Sequence, residues 1–271
     1  MKKYLVIGNP IEHSLSPELH NYWIKEYKIN AEYNKKKLDS NDLKDLIFKI
    51  KKKEISGVNV TVPFKKKVIS FLDELTFDAE TTQSVNTIYL KDNKTIGHNT
   101  DISGFESAIK STNYKIMEKK ILILGAGGVV SSIIFALLKM KVSSITLTNR
   151  TKAKAEFLKT FFDKKIDNNN IEIVDWGKIP EFDMVINATS VGLKKDDQID
   201  LDFSKISSNK FFYDVIYNPR ETKFLKEAKE HGNKIENGKK MFIFQAAEAF
   251  KIWHGIEVKM NDKLDNILKD D

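Results

Sequence analysis

The chain of 271 residues contains no cysteine. A disulfide scaffold and a Cys-ligated zinc site are therefore both excluded. Arginine is nearly absent too. Of the 45 basic residues only Arg150 and Arg220 are Arg, and the rest are Lys. Proteins that read bases or phosphates lean on the bidentate fork of Arg. Here the Lys residues are scattered along the chain with Asp and Glu among them, so they read as a solvated surface and no nucleic-acid partner is expected. The net charge of +7 then serves to draw in anionic substrates over long range. Long apolar runs are missing as well. None approaches the roughly 20 residues that span a bilayer, and Tyr4-Leu5-Val6-Ile7 is too short for a secretory signal. No membrane association and a cytoplasmic location are the expectations. A homodimer is left open.

What is present is enough for two domains. Apolar residues make up 41% of the chain and charged ones 31%, which supports a real core rather than a disordered tail. Strand-like and helix-like runs alternate for most of the length. Tyr4–Ile7 reads as a buried strand. Ser16-Pro17-Glu18 opens a helix, with Ser16 as N-cap and Pro17 at its first position. Leu43, Leu46, Ile47 and Ile50 share one face of a second helix. Gly57-Val58-Asn59-Val60-Thr61-Val62 reads as a strand stopped by Pro63. Val85–Tyr89 and Thr95–Gly97 form a hairpin around Asp92-Asn93.

The character changes near Asp101. Ile121–Leu124 is a continuous apolar run, as a strand buried on both faces requires. Helices over Val129–Met140 and Thr151–Phe162 alternate with strands at Ile145–Thr148, Ile171–Val174, Met184–Asn187 and Phe211–Val215. This rhythm is the βαβ pattern of a doubly wound parallel sheet. Met241–His254 is helical with a broad apolar face and no strand of its own. It is expected to pack back on the first domain. The fold class is thus α/β in two domains. Residues 1–101, completed by 241–271, form an α/β/α substrate domain. Residues 102–240 form a Rossmann-type nucleotide domain.

Gly125-Ala126-Gly127-Gly128 follows a buried strand directly and opens a helix. Gly125 allows the tight turn, and Gly127 lets backbone approach a pyrophosphate held at the positive helix N-terminus. The next strand ends in Asn149-Arg150-Thr151, where a site for NAD usually places an acid. An acid would repel a 2′-phosphate. Arg150 can grip one bidentately, Thr151 can donate a further hydrogen bond, and Lys154 adds charge one turn on. The cofactor expected is NADP.

Reduction of a ketone needs a proton donor near the carbonyl oxygen. The spacing Tyr-x-x-x-Lys occurs once, at Tyr33 and Lys37, but upstream of the nucleotide fold, and reads as chance. Better candidates are Lys65, at the exit of the strand carrying Asn59 and Thr61, and Asp101, in the polar cluster Asn99-Thr100-Asp101. On spacing alone, Lys65 is equally well a solvated member of the run Lys65-Lys66-Lys67.

The chain resembles the shikimate dehydrogenase family over essentially its full length. The resemblance rests on Ser14-Leu15-Ser16-Pro17, Gly57 through Lys65, Val85-Asn86-Thr87, Asn99 through Gly104, Gly125 through Gly128, Asn149-Arg150-Thr151, Asn187 through Gly192, Asp214 through Tyr217 and Gln245-Ala246-Ala247. It implies that Lys65 and Asp101 flank the reacting oxygen, with Lys65 as proton acceptor in the oxidation direction and no metal. It implies that Ser14, Ser16 and Tyr217 hold the substrate carboxylate, and that Thr61, Asn86, Asp101 and Gln245 hold ring hydroxyls. Gly125, Ala126, Gly127, Gly128, Val129, Asn149, Arg150, Thr151 and Lys154 would bind NADP, with Val215 and Gly238 near the nicotinamide. Two positions depart from the family pattern: Lys240 stands where Gly is frequent, and Lys154 where many members carry a second Arg. The implied activity is reversible reduction of 3-dehydroshikimate to shikimate. The alternative is a quinate/shikimate dehydrogenase using NAD or NADP.

Overall fold

The computed structural model describes residues 1–261 apart from Asn168, Lys195 and Asp200, and also Leu264. It divides into two compact units. One comprises Met1–Gly104 and the chain from Ile243 onward, and the other Phe105–Phe242.

The first unit is built on a six-stranded sheet. Its strands are β1 (Lys2–Gly8), β2 (Ala31–Lys37), β3 (Gly57–Val60), β4 (Glu74–Leu75), β5 (Thr87–Lys91) and β6 (Lys94–His98), in the order β2-β1-β3-β5-β6-β4. The first three run parallel, while β5 and β6 form an antiparallel hairpin beside β3. The helices are α1 (Ser16–Glu26), α2 (Leu43–Lys51), the short α3 (Phe77–Thr82) and, at the far end of the chain, α8 (Lys239–His254). α2 buries Leu43, Leu46, Ile47 and Ile50, the face that its spacing predicts. Around them Ile7, Val58, Val60, Phe64, Val68, Val85 and Ile88 close one core cluster. Each such side chain contributes about 1.5–3 kcal/mol on burial.

On the other face α1 inserts Leu19 and Trp23, both fully buried, and α8 adds Phe250 and Trp253. Phe250 meets Trp23 at 5.5 Å, and Trp253 Nε1 donates to the Ile88 carbonyl at 3.1 Å. The C-terminal helix thus completes a core begun by the first hundred residues.

The second unit holds β7 (Lys120–Leu124), β8 (Ser144–Thr148), β9 (Ile171–Ile173), β10 (Met184–Asn187), β11 (Phe211–Asp214) and β12 (Lys234–Glu236). All six are parallel, in the order β12-β11-β10-β7-β8-β9. That is the doubly wound order, with its switch point between β7 and β10. The helices are α4 (Thr100–Ser111), inside which the boundary between units falls, α5 (Val130–Lys139), α6 (Lys152–Asp163) and α7 (Lys223–Glu230). α5 buries eight consecutive residues from Val130 to Leu137, because its apolar composition leaves it no polar face to expose.

Several elements differ from the sequence reading. β3 ends at Val60 rather than Val62, because the amide of Thr61 still bonds Ile7 but the chain then turns, with Phe64 N–H donating to the Thr61 carbonyl. β2 runs on to Lys37, since its exposed Lys-rich half hydrogen-bonds to β1 whatever its polarity. Ser16 is not the cap of α1. Leu15 occupies that position, and the amide of Ser16 donates to Ser14 Oγ at 3.4 Å. α3, α4, α7, β4 and β12 have no counterpart in that reading.

Candidate active site

In the first unit, Lys65 and Asp101 meet. Lys65 Nζ lies 2.6 Å from Asp101 Oδ2, with side chains 15% and 8% exposed. An ion pair this sheltered is screened far less than the exposed pairs on the surface. Local structure places both groups. The turn after Thr61 carries Lys65 to where its carbonyl accepts from the Val85 amide at 2.9 Å. Asp101 sits in the first turn of α4, its amide capped by Asn99 Oδ1 at 3.1 Å. Lys65 is thus held in an ion pair, unlike the exposed Lys that its Lys-rich run suggests.

Asn86 organises the other side of Asp101. Its Nδ2 donates to Asp101 Oδ1 and to Thr100 Oγ1, each at 2.9 Å, and approaches Gln245 Oε1 at 3.5 Å. Its Oδ1 accepts from the Thr100 amide at 2.8 Å. A backbone amide can only donate, so the two ends of the Asn86 amide are distinguished by their partners. Asn86 lies just before the hairpin strand β5, and Gln245 lies on α8, so residues far apart in the chain converge on one carboxylate. Ser14, Ser16 and Thr61 belong to the same unit. Ser16 is buried, and Thr61 packs its methyl group against Gly8, where a Cβ would stand 2.6 Å away. Tyr217 lies in the second unit, stacked on Phe242 at 4.6 Å.

The second unit carries the residues expected to bind nucleotide. Gly125 adopts φ +112°, and a Cβ there would stand 2.8 Å from the Ala188 carbonyl oxygen. Both facts demand glycine. The turn is tied to β8 by Gly125 N–H donating to the Thr148 carbonyl at 2.8 Å. Over Gly128 the space is open, with nothing within 4 Å of a Cβ. Backbone at the start of α5 is therefore accessible to a phosphate, which the positive helix end favours. Beyond β8, Arg150, Thr151 and Lys154 are all exposed, and Asn149 Nδ2 donates to the Thr151 carbonyl at 2.8 Å, shaping that turn. Two exposed cationic side chains at a strand end where the sequence places no acid fit a 2′-phosphate. Lys240 is engaged elsewhere, pairing with Glu236 at 2.9 Å. Gly238 is packed against Val215, where a Cβ would clash with the Val215 carbonyl at 2.1 Å.

Sequence reasoning missed a polar cluster beside Val215. Asp214 is fully buried and accepts hydrogen bonds from Asn187 Nδ2 at 3.1 Å, the Ile216 amide at 3.0 Å and Thr222 Oγ1 at 2.7 Å. Burial pushes its carboxyl up to about 6, against these three donors. The cluster joins the ends of β10 and β11. The available signal was a polar residue closing each of two apolar strands.

Comparison with known proteins decides the family. Residues 6–88 match the shikimate dehydrogenase substrate binding domain, and residues 106–231 match the shikimate / quinate 5-dehydrogenase domain. The chain is 58% identical over 267 residues to the NADP(+) shikimate dehydrogenase of Pelagibacter ubique strain HTCC1062, covering 98% of each. The chain belongs to the shikimate dehydrogenase family. Solved structures agree with that placement. A shikimate dehydrogenase crystallised with NADP+ superposes with a TM-score of 0.93 at 36% identity, over 99% of this chain and 95% of that one. The Thermus thermophilus enzyme, in complex with NADP(H) and shikimate, gives 0.88 at 29% identity, over 99% of this chain and all (100%) of that one.

Proposed function

We propose that Lys65 and Asp101 handle the proton as this protein interconverts 3-dehydroshikimate and shikimate with NADP. The observation that carries this reading is the sheltered 2.6 Å contact between the two side chains, in a chain whose relatives bear the name shikimate dehydrogenase (NADP(+)). NADP(H) supplies the hydride when bound. Gly125 to Val129 would face its pyrophosphate, Asn149, Arg150, Thr151 and Lys154 its 2′-phosphate, and Val215 and Gly238 its nicotinamide.

In the reduction direction Lys65 gives a proton from Nζ to the oxygen that was the ketone. In the oxidation direction it takes the hydroxyl proton back. Asp101 accepts a hydrogen bond from Lys65 and holds the ammonium on one side, which fixes the direction in which its other protons point. Asn86 and Gln245 present amide groups beside the same carboxylate. Amides both donate to and accept from alcohols, so they suit the ring hydroxyls, as does Thr61. Ser14, Ser16 and Tyr217 offer hydroxyls for the carboxylate. We place the activity in the cytoplasm, a location that suits a cysteine-free chain.

Quinate is the competing substrate. It carries an extra hydroxyl beside the carboxylate and needs room there, and the pair Ser14 and Ser16 favours shikimate. One absorbance assay tests the reading: NADPH formation from shikimate, against quinate and against NAD. Turnover of shikimate with NADP well above the other three combinations is expected. Equal turnover of quinate would assign the alternative.

A further inference from the structure

The spacing Tyr33-x-x-x-Lys37 does not form a catalytic couple. Lys37 is exposed and pairs with Glu12 at 3.7 Å, whereas Tyr33 is 1% exposed. Yet the Tyr33 hydroxyl is not idle. It donates to Asn59 Oδ1 at 2.7 Å, inside the protein. Burial pushes this phenol well above its usual range, so the hydroxyl stays protonated and remains a donor.

The direction of every subsequent bond is fixed by a backbone group. Asn59 Nδ2 lies 3.1 Å from the Asn86 carbonyl, which can only accept. The oxygen of that amide must therefore be the end facing Tyr33. Asn59 Nδ2 also donates to Thr87 Oγ1 at 3.0 Å. Thr87 is thereby left to turn its own hydrogen to Asn86 Oδ1, at 3.1 Å. Asn86 Oδ1 faces the Thr100 amide, a pure donor, so its Nδ2 must point at Asp101 Oδ1. Asp101 then accepts Lys65 through its second oxygen. Tyr33, Asn59, Thr87, Asn86 and Asp101 form a head-to-tail series in which each donor points the same way. Such a series polarises its members cooperatively and orients them as a unit.

We propose that Tyr33 is a positioning residue for the Lys65–Asp101 couple, acting through Asn59, Thr87 and Asn86; this rests on the acid–base reading above. Tyr33 is well suited to anchor the series. Its backbone is clipped to α1 on both sides, Asn21 Nδ2 donating to its carbonyl at 2.7 Å and its amide donating to Asn21 Oδ1 at 3.0 Å. Its ring lies stacked on His20 at 4.2 Å with an interplanar angle of 0°. Ring and backbone are held independently of the hydroxyl, so Tyr33→Phe removes the hydrogen bond and leaves the packing.

The test is steady-state kinetics on Tyr33→Phe, Thr87→Val, the double variant and Lys65→Ala, with shikimate and NADP. Loss of the first donor should lower kcat roughly fivefold to tenfold and leave KM for both substrates within about twofold. Thr87→Val cuts the same series further along and should do the same. The double variant should be no worse than the poorer single one, because one series is broken once. A wild-type kcat in Tyr33→Phe, whatever its melting temperature, overturns the proposal, and so does a double variant whose loss is the product of the singles. Should Tyr33→Phe not fold, a Thr87→Val enzyme with wild-type kcat overturns it equally. Lys65→Ala separates the two levels. If it keeps its kcat, the acid–base reading itself falls; if it loses kcat while Tyr33→Phe does not, the relay alone falls.

Discussion

The space that a side chain on Gly57 would fill belongs to the indole of Trp253. A Cβ on Gly57 would stand 2.3 Å from Trp253 Nε1 and 2.6 Å from Cε2. Gly57 begins β3, whose backbone is paired on both sides, and the indole is fixed by its bond to the Ile88 carbonyl. Neither partner can yield cheaply. Gly57→Ala should therefore destabilise the protein by about 1–3 kcal/mol, the range for overpacking, as measured by urea denaturation. If stability is unchanged, α8 does not seat against β3 in this way.

How much of this was legible in the sequence depends on the kind of burial. The strands of the second unit were readable because a parallel sheet covered on both faces turns them into unbroken apolar runs, such as Ile121–Leu124. β2 was only half readable, since Lys35, Lys36 and Lys37 are exposed on an edge strand and edge strands favour charge. α4 was invisible because it opens on the polar Thr100-Asp101 and carries Gly104, a poor helix former. α7 was hidden by its Lys and Glu, although Phe224, Leu225 and Ala228 bury one face.

The candidate site was legible as residue types and not as contacts. Polar residues at strand exits marked Lys65 and Asp101, but nothing local says that side chains 36 positions apart should meet. The role of Asn59 as a link, and of Tyr33 behind it, depends on pairing of β3 with β5, which is a long-range fact. Tyr33 read as an ordinary strand aromatic.

Arg150 carries the cofactor prediction. It is exposed at the end of β8, with Lys154 as its cationic neighbour. Arg150→Asp should reverse the preference toward NAD, because a phosphate clamp becomes a repelling acid. Loss of one charge-assisted contact is worth about 1.5–3 kcal/mol, roughly 10–150-fold in affinity. Titration of both cofactors by fluorescence quenching checks this. Unchanged NADP affinity would remove the 2′-phosphate from Arg150.

Asp214 carries a pH prediction. Its folded value of about 6 lies above the ordinary 3.8, so the protonated form is favoured by folding. The stability it contributes is complete below the unfolded value and is lost as pH rises through about 6. At pH 7 the buried anion costs about 3 kcal/mol, and lowering the pH from 7 to 5 should restore about 1 kcal/mol. Other carboxylates titrate too, so the test is a difference. Wild type minus Asp214→Asn, measured by urea denaturation at both values, should move by that amount in favour of wild type at pH 5. A difference independent of pH would mean that the carboxyl is not held up.

The last prediction concerns the proton step. If Lys65 moves a proton, Lys65→Ala should lower kcat far more than it raises KM for shikimate, since only interactions gained in the transition state act on kcat. General acid–base help is typically worth about 10²–10⁴-fold, and a loss in that range is expected. Asp101→Asn keeps the size of the side chain but removes the charge that Lys65 pairs with at 2.6 Å. Two groups that work as a unit give non-additive losses, so the double variant should be little worse than either single one. The competing account makes Lys65 a tether for a ring hydroxyl. In that case KM rises while kcat holds, and the losses of the two variants multiply. Should kcat stay near wild type in Lys65→Ala and collapse in Asp101→Asn, the carboxylate rather than the ammonium exchanges the proton, and Lys65 serves to hold it in place.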